Sequence, residues 1–159
     1  MTHSIFGSLC CSALYLFSTV ICSGQIRINE IMYDPAGSDA TDEFIELINI
    51  SGTESVDLLD WKISDGSGAD RICSGPDGMT VLFPGQYALI FTPEYYIESN
   101  YYFGYIGDSC LQLRISGSTL GSRGLSNSSR ETVYVINTAG DTVDAHTYET
   151  GNAPGHSQE

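Results

Sequence analysis

Basic residues are the scarcest charged class in this chain. Six Lys and Arg stand against twenty Asp and Glu in 159 residues, a formal net charge of −14. Sequence-independent nucleic-acid binding runs on Lys and Arg displacing the counterions of the phosphates. Six scattered cations make no such patch, so nucleic acid is not an expected partner. An acidic chain stays soluble, is repelled by anionic membranes, and suits cations and basic partners. Catalytic signatures are also missing. There is no phosphate loop, no Rossmann fingerprint and no zinc-ligand spacing. Ser and Asp are plentiful, but no nucleophile elbow or fixed spacing ties them to His146 or His156, so no triad is readable. No stretch carries long helical periodicity.

Cysteine is sparse where it would matter. Cys10, Cys11 and Cys22 lie in the first 24 residues, leaving Cys73 and Cys110. Ile5 to Cys22 is mostly apolar, holds no Asp, Glu, Lys or Arg, and is followed by the small residues Ser23 and Gly24. That is the pattern of a secretory signal, although its first four residues carry no Lys or Arg. Cleavage is expected between Gly24 and Gln25, with residues 1–24 as signal peptide and 25–159 as the exported domain. An uncleaved anchor is the other reading, but the run is short for a ~30 Å hydrocarbon layer. After cleavage no membrane insertion is expected, and the product is secreted or held at the cell surface. In that oxidising setting an even pair of cysteines admits a Cys73–Cys110 disulfide; two free thiols are the alternative.

What is present is short apolar or alternating runs punctuated by Gly, Pro, Asn, Asp and Ser, which reads as all-β. Strands are expected at Gln25–Tyr33, Phe44–Ile50, Val56–Ile63, Thr80–Phe83, Tyr87–Phe91, Leu111–Ile115, Glu131–Ile136 and Asp141–Tyr148. In the second, Phe44, Glu46, Ile48 and Ile50 share one face, and Ile45, Leu47 and Asn49 the other. Asp65–Gly78 reads as a polar loop holding Cys73. Pro93–Asp108 is aromatic and irregular, with a short helical turn. About eight short strands with turn chemistry between them argue a β-sandwich in one domain.

Five segments in order carry a resemblance. Ile28-Asn-Glu-Ile with Asp34-Pro, Asp42-Glu-Phe-Ile-Glu-Leu-Ile-Asn49, and Val56-Asp-Leu-Leu-Asp-Trp-Lys-Ile-Ser-Asp65 are the first three. Leu82-Phe-Pro-Gly-Gln-Tyr-Ala-Leu-Ile90 is the fourth. The last hairpin supplies Gly124-Leu-Ser-Asn127, Val133-Tyr-Val-Ile-Asn137 and Gly140 to Tyr148. Together they resemble the bacterial exported type of lamin-tail domain across nearly all of residues 26–159. The resemblance implies an immunoglobulin-like β-sandwich and implies no enzyme. It departs at Ser128-Ser-Arg-Glu131, where relatives often have Gly-Asp. It also implies a final strand after Gly155-His-Ser-Gln-Glu159, so the domain is expected to be truncated at its C-terminal end.

Candidate sites are weighed against plainer readings. Glu30 and Glu46 sit in otherwise apolar strands and could pair across the sheet as a metal or acid/base pair. The favoured reading has each facing solvent or paired with Arg27, Lys62 or Arg114. Asp34, Asp39, Asp42, Asp65 and Asp70 lie in acidic loops and are the candidates for calcium, which takes six to eight oxygens. Their spacing matches no EF-hand. Tyr101, Tyr102 and Tyr105 could form an exposed platform for sugar rings or a protein partner; a lid packed on the sandwich is the favoured reading. Asn49-Ile-Ser51 and Asn127-Ser-Ser129 fit the glycosylation sequon. The function expected is a non-catalytic interaction or spacer module of a secreted or cell-surface protein. The alternatives are an accessory domain of a larger extracellular enzyme, such as a nuclease or other hydrolase, and a calcium-stabilised carbohydrate-binding adhesin.

Overall fold

The computed structural model describes residues 25–159; the expected signal peptide and its cleavage point lie outside them. Ten strands follow in chain order: β1 Ile26–Met32, β2 Phe44–Asn49, β3 Val56–Asp57, β4 Lys62–Ser64, β5 Ala69–Ser74, β6 Val81–Leu82, β7 Tyr87–Phe91, β8 Leu111–Ile115, β9 Glu131–Ile136 and β10 Thr142–Tyr148. One helical turn, α1 (Asp39–Asp42), precedes β2, and a π-helical turn spans Tyr95–Ser99. Among the described residues no helix is long and apolar enough to cross a membrane.

Eight strands are hydrogen-bonded in the order β1-β2-β7-β8-β5-β4-β9-β10, and β3 pairs with β6 apart from them. β5 makes the corner. Its first half, Ala69–Arg71, pairs with β4, and its second half, Ile72–Ser74, pairs with β8. A strand that changes partners along its length turns one sheet into two layers. The outer strands meet side by side: Asp144 of β10 takes the Arg27 guanidinium at 2.8 Å and the Ile28 N–H at 2.8 Å. The result is an immunoglobulin-like β-sandwich.

The alternation of β8 shows why it closes. Leu111, Leu113 and Ile115 are buried, while Gln112 and Arg114 point the other way and are only partly covered. β2 and β9 send Ile45, Leu47, Val133 and Val135 into the same core. Each fully buried aliphatic side chain contributes roughly 1.5–3 kcal/mol. Asn49 is also fully buried there, which burial alone would penalise. Its amide donates to Glu54 O and Leu82 O at 2.8 and 3.0 Å, and its Oδ1 accepts the Ser51 N–H at 2.9 Å. That fully used amide removes the Asn49 sequon from reach in the folded protein.

Two expectations are corrected. The Val56–Ile63 strand is split, because Asp60 takes a left-handed conformation (φ 64°) and turns the chain from β6 toward β5 and β9. The polar loop Asp65–Gly78 contains β5, a strand between two others whose single core side chain is Ile72. At the tail, Gln158 and Ile31 exchange backbone hydrogen bonds of 2.8 and 3.0 Å along β1.

Candidate functional site

β7 and β8 run parallel, unlike the other pairs. Parallel neighbours need a crossover rather than a tight turn. Here residues 92–110 cross the outer face of β1, β2 and β7 and build a second core on it. Tyr95 stacks on Phe91 with ring centroids 3.8 Å apart, and Tyr102 meets Phe44 edge-on at 5.3 Å. The Tyr96 hydroxyl donates to Leu113 O at 2.9 Å, and Tyr95 Oη accepts the Tyr102 N–H at 3.1 Å. Ser99 donates to Asp42. Burial pushes the Tyr95, Tyr96 and Tyr102 hydroxyls above their ordinary range.

The lid stops short of the far end of that face, leaving a cleft of about 760 Å³. Its floor is Met32, Phe44 and Leu89. The Phe83-Pro84-Gly85-Gln86 turn forms one wall, and Tyr102, Tyr105 and Ile106 form another. The remaining wall carries Glu30 and Glu46. A bulge at Asn29 sets the register so that these two are direct partners across β1 and β2. Asn29 Nδ2 donates to Glu46 Oε1 at 2.7 Å. Burial raises the Glu46 pKa against that bond, and the charges of Glu30 and Glu159 raise it further. Neither carboxylate has an ion pair with Arg27, Lys62 or Arg114; Arg27 is committed to Asp144. Cys110 borders the cleft, and burial, with the Glu46 charge, pushes its thiol up to about 11.

A second carboxylate group lies at the opposite end of β2. Glu43 is buried and accepts the Leu125 N–H at 3.0 and 3.2 Å on its two oxygens. Burial raises it to about 8 against that bond, with Asp39 and Glu131 adding to the rise. Glu131 accepts the Ser126 N–H and lies 2.9 Å from Tyr148 Oη. Asp42 accepts the Ser38 N–H at 2.8 Å. The Asp42-Glu43-Phe44-Ile45-Glu46 stretch therefore divides its labour residue by residue. Asp42 ties the lid, Glu43 ties the loop before β9, Phe44 floors the outer core, Ile45 enters the inner one, and Glu46 reaches the cleft.

The chain belongs to the Lamin Tail Domain family. Its family model matches residues 21–150. No curated protein matches the chain. Lamin Tail Domains are in general non-enzymatic immunoglobulin-like modules. The motif Asp42–Glu46 of this Lamin Tail Domain thus has a structural account: its carboxylates fasten the lid and a loop, and line the cleft.

The five calcium candidates do not converge. Asp39 accepts Asn127 Nδ2, and Asp42 is enclosed by Ser38, Thr41 and Ser99. Asp65 closes another loop by accepting the Ser67, Gly68 and Ser122 N–H groups at 2.6–2.8 Å. Burial would raise its pKa, but these bonds outweigh it and hold the carboxyl below its usual value. Asp70, its neighbour, is raised by burial and by the Asp65 charge. Asp34 lies apart, in the turn where its carbonyl accepts the Gly155 N–H. Among the described residues no three His, Cys, Asp or Glu are grouped to hold a metal ion.

The disulfide is not formed, and Cys73 and Cys110 are free thiols. Cys73 is the partner of Arg114, four residues along the chain from Cys110. That separation is about 13 Å of extended chain, against the ~7 Å limit between bridged Cα atoms. The three tyrosines form no common platform either. Tyr102 is part of the lid core and lines the cleft from it, Tyr101 stands at 82° to it beside Gly37, and Tyr105 is exposed at the cleft rim. Phe83, Leu89, Ile106 and Asn29 are site residues that the sequence pattern does not single out. The available signal was an apolar residue beside each carboxylate on the outward faces, Met32 beside Glu30 and Phe44 beside Glu46, which asks for a cover on that face.

Proposed function

We propose that this Lamin Tail Domain is an exported, non-catalytic interaction module of a secreted or cell-surface protein. The observation that supports it is the lid's outer surface. Ile97, Phe103 and Tyr105 are 78, 73 and 85 % exposed on a strongly acidic chain. Large side chains displayed singly are ordinary, but three on one 92–110 excursion give a partner aromatic and aliphatic anchors. The leading apolar segment supports export, and the family's non-enzymatic character supports a binding or spacing role.

The test has two arms. Protein recovered from the medium or cell surface of an expressing bacterium is sequenced from its N-terminus, with Gln25 the expected first residue. The purified protein is then presented to the envelope fraction of the producing cell. Replacing Ile97, Phe103 and Tyr105 by Ser should abolish retention and leave the melting temperature within about 2 °C, since exposed positions change stability little. Retention that survives the triple change, or product confined to the cytoplasm, would sink the reading. So would hydrolase activity in the isolated protein.

A further inference from the structure

The cleft combines three properties. It is concave and of a size that small-molecule sites have, about 300–1,000 Å³ against the ≈ 760 Å³ found here. Its floor and two walls are apolar, with Phe83 and Tyr105 51 and 85 % exposed at the rim. Its remaining wall is purely acidic. Glu30 and Glu46 are direct partners across the strands, and the nearby Glu159 charge acts on Glu46. Among the described residues no Lys, Arg or His lines the cleft. Within the described residues the ion pairs of this protein lie elsewhere, at Arg27–Asp144, Arg71–Asp60 and Arg130–Glu149.

Facing like charges across a strand pair destabilise the sheet. A neutral guest would fill the apolar walls and leave that repulsion in place, in a site now drier and less screened. An anionic guest would add to it. A metal ion would find two side chains where hard cations want six or more oxygens, and no third ligand is grouped with them. An organic cation answers both halves of the site at once.

We propose that the cleft binds a small amphipathic organic cation. Its ammonium or guanidinium head lies between Glu30 and Glu46, and its apolar or aromatic body lies against Phe83, Leu89 and Tyr105. This site shares Tyr105 with the partner surface of the lid, whereas Ile97 and Phe103 belong to that surface and do not line the cleft.

The probes are phenylbutylammonium, phenylbutanol and phenylbutyrate, titrated into the purified isotope-labelled protein and followed by amide chemical shifts. The cation should bind at least ~10-fold more tightly than the alcohol, the factor that ~1.4 kcal/mol of charge pairing supplies. The anion should not bind. Shifts should centre on Phe44, Leu89 and Ile106. Paired Glu30→Gln and Glu46→Gln changes should erase the preference for cation over alcohol while the protein still melts cooperatively. Phe83→Ser should weaken cation and alcohol alike. Equal binding of cation and alcohol, shifts centred elsewhere, or a preference that survives the paired change would each overturn the assignment. A capped Leu-Lys-Leu tripeptide that outbinds the free amine would also overturn it, by moving the site to a partner's side chain.

Discussion

The two cores on either side of one sheet are built differently. The inner core takes Ile, Leu and Val from both layers and is closed on all sides, with Tyr33 stacked on Tyr148 at 4.8 Å. Its buried polar group, Asn49, has every hydrogen-bonding atom engaged. The outer core is small and aromatic, rests on one layer, and ends in an open cleft. It also contains a buried Tyr102 hydroxyl without a partner and a carboxylate, Glu46, whose burial raises its pKa. The closed side holds the fold, and the open side carries the cleft.

The largest effect should come from probing that asymmetry directly. Leu113→Ala empties a fully buried site of the inner core and should cost about 2–5 kcal/mol. Urea unfolding should show one cooperative transition at lower midpoint. Tyr102→Ala, in the outer core, should cost less, about 1–2 kcal/mol, because the ring is partly exposed. Its distinctive signature is local: faster hydrogen exchange in residues 94–110 with β8 and β9 still protected. If both variants loosen the whole molecule equally, the two cores are one cooperative unit and the comparison fails.

Next in size is the buried carboxylate at the loop end. The Glu43 pKa is raised from 4.5 to about 8 in the folded protein. The unfolded state therefore releases its proton first. Stability from this group is fully present below pH 4.5, falls as pH rises, and levels off above about 8. Glu43→Gln keeps an acceptor for the Leu125 N–H and removes the charge. It should raise stability at pH 8 by a few kcal/mol and flatten the pH profile between those limits. A wild-type melting temperature that climbs between pH 5 and 8 would contradict the burial of Glu43. Gly124→Ala should act in the opposite direction at the same contact. Gly124 holds φ 88°, and an added Cβ would lie 3.2 Å from the Glu43 carboxylate. A cost of about 1–3 kcal/mol is expected, read by the same melting measurements.

Much of the fold is legible in the amino-acid sequence, for reasons that can be named. β8 reads Leu-Gln-Leu-Arg-Ile, a period of two that only a half-buried strand satisfies. β2 reads as an Ile45-Leu47-Asn49 face and a Phe44-Glu46-Ile48-Ile50 face, because alternation determines which residues travel together; the strand ends at Asn49, before Ile50. β5 was invisible: Ala69-Asp-Arg-Ile-Cys-Ser74 puts one residue into the core, and its pairing to both neighbours is a property of backbone. Leu58, Leu59 and Trp61 read as one continuous strand, while a left-handed Asp60 breaks them. The cleft was half legible. That Glu30 and Glu46 could meet was readable from two strands with one carboxylate each. That they do depends on a one-residue bulge at Asn29, and that they meet beside Phe83 and Tyr105 depends on where the crossover stops. Neither follows from local pattern.

The smallest effect carries the sharpest test of the comparison. A site evolved only for stability would not place Glu30 opposite Glu46. Glu30→Gln should therefore stabilise the protein, by about 0.2–1 kcal/mol, the usual size of an unfavourable cross-strand pair. The sign of its pH dependence follows from Glu46, whose folded pKa lies above 4.5. When Glu46 holds its proton the repulsion is absent, so Glu30→Gln should gain nothing in acid, and its gain should appear as the pH rises through the raised Glu46 pKa. The same change should weaken the binding of an organic cation. A variant that is more stable and binds less would show the carboxylate pair being kept at the expense of folding. A variant that is less stable at neutral pH would mean that Glu30 has a favourable partner in solution, and the outer wall would then belong with the inner core as part of the scaffold.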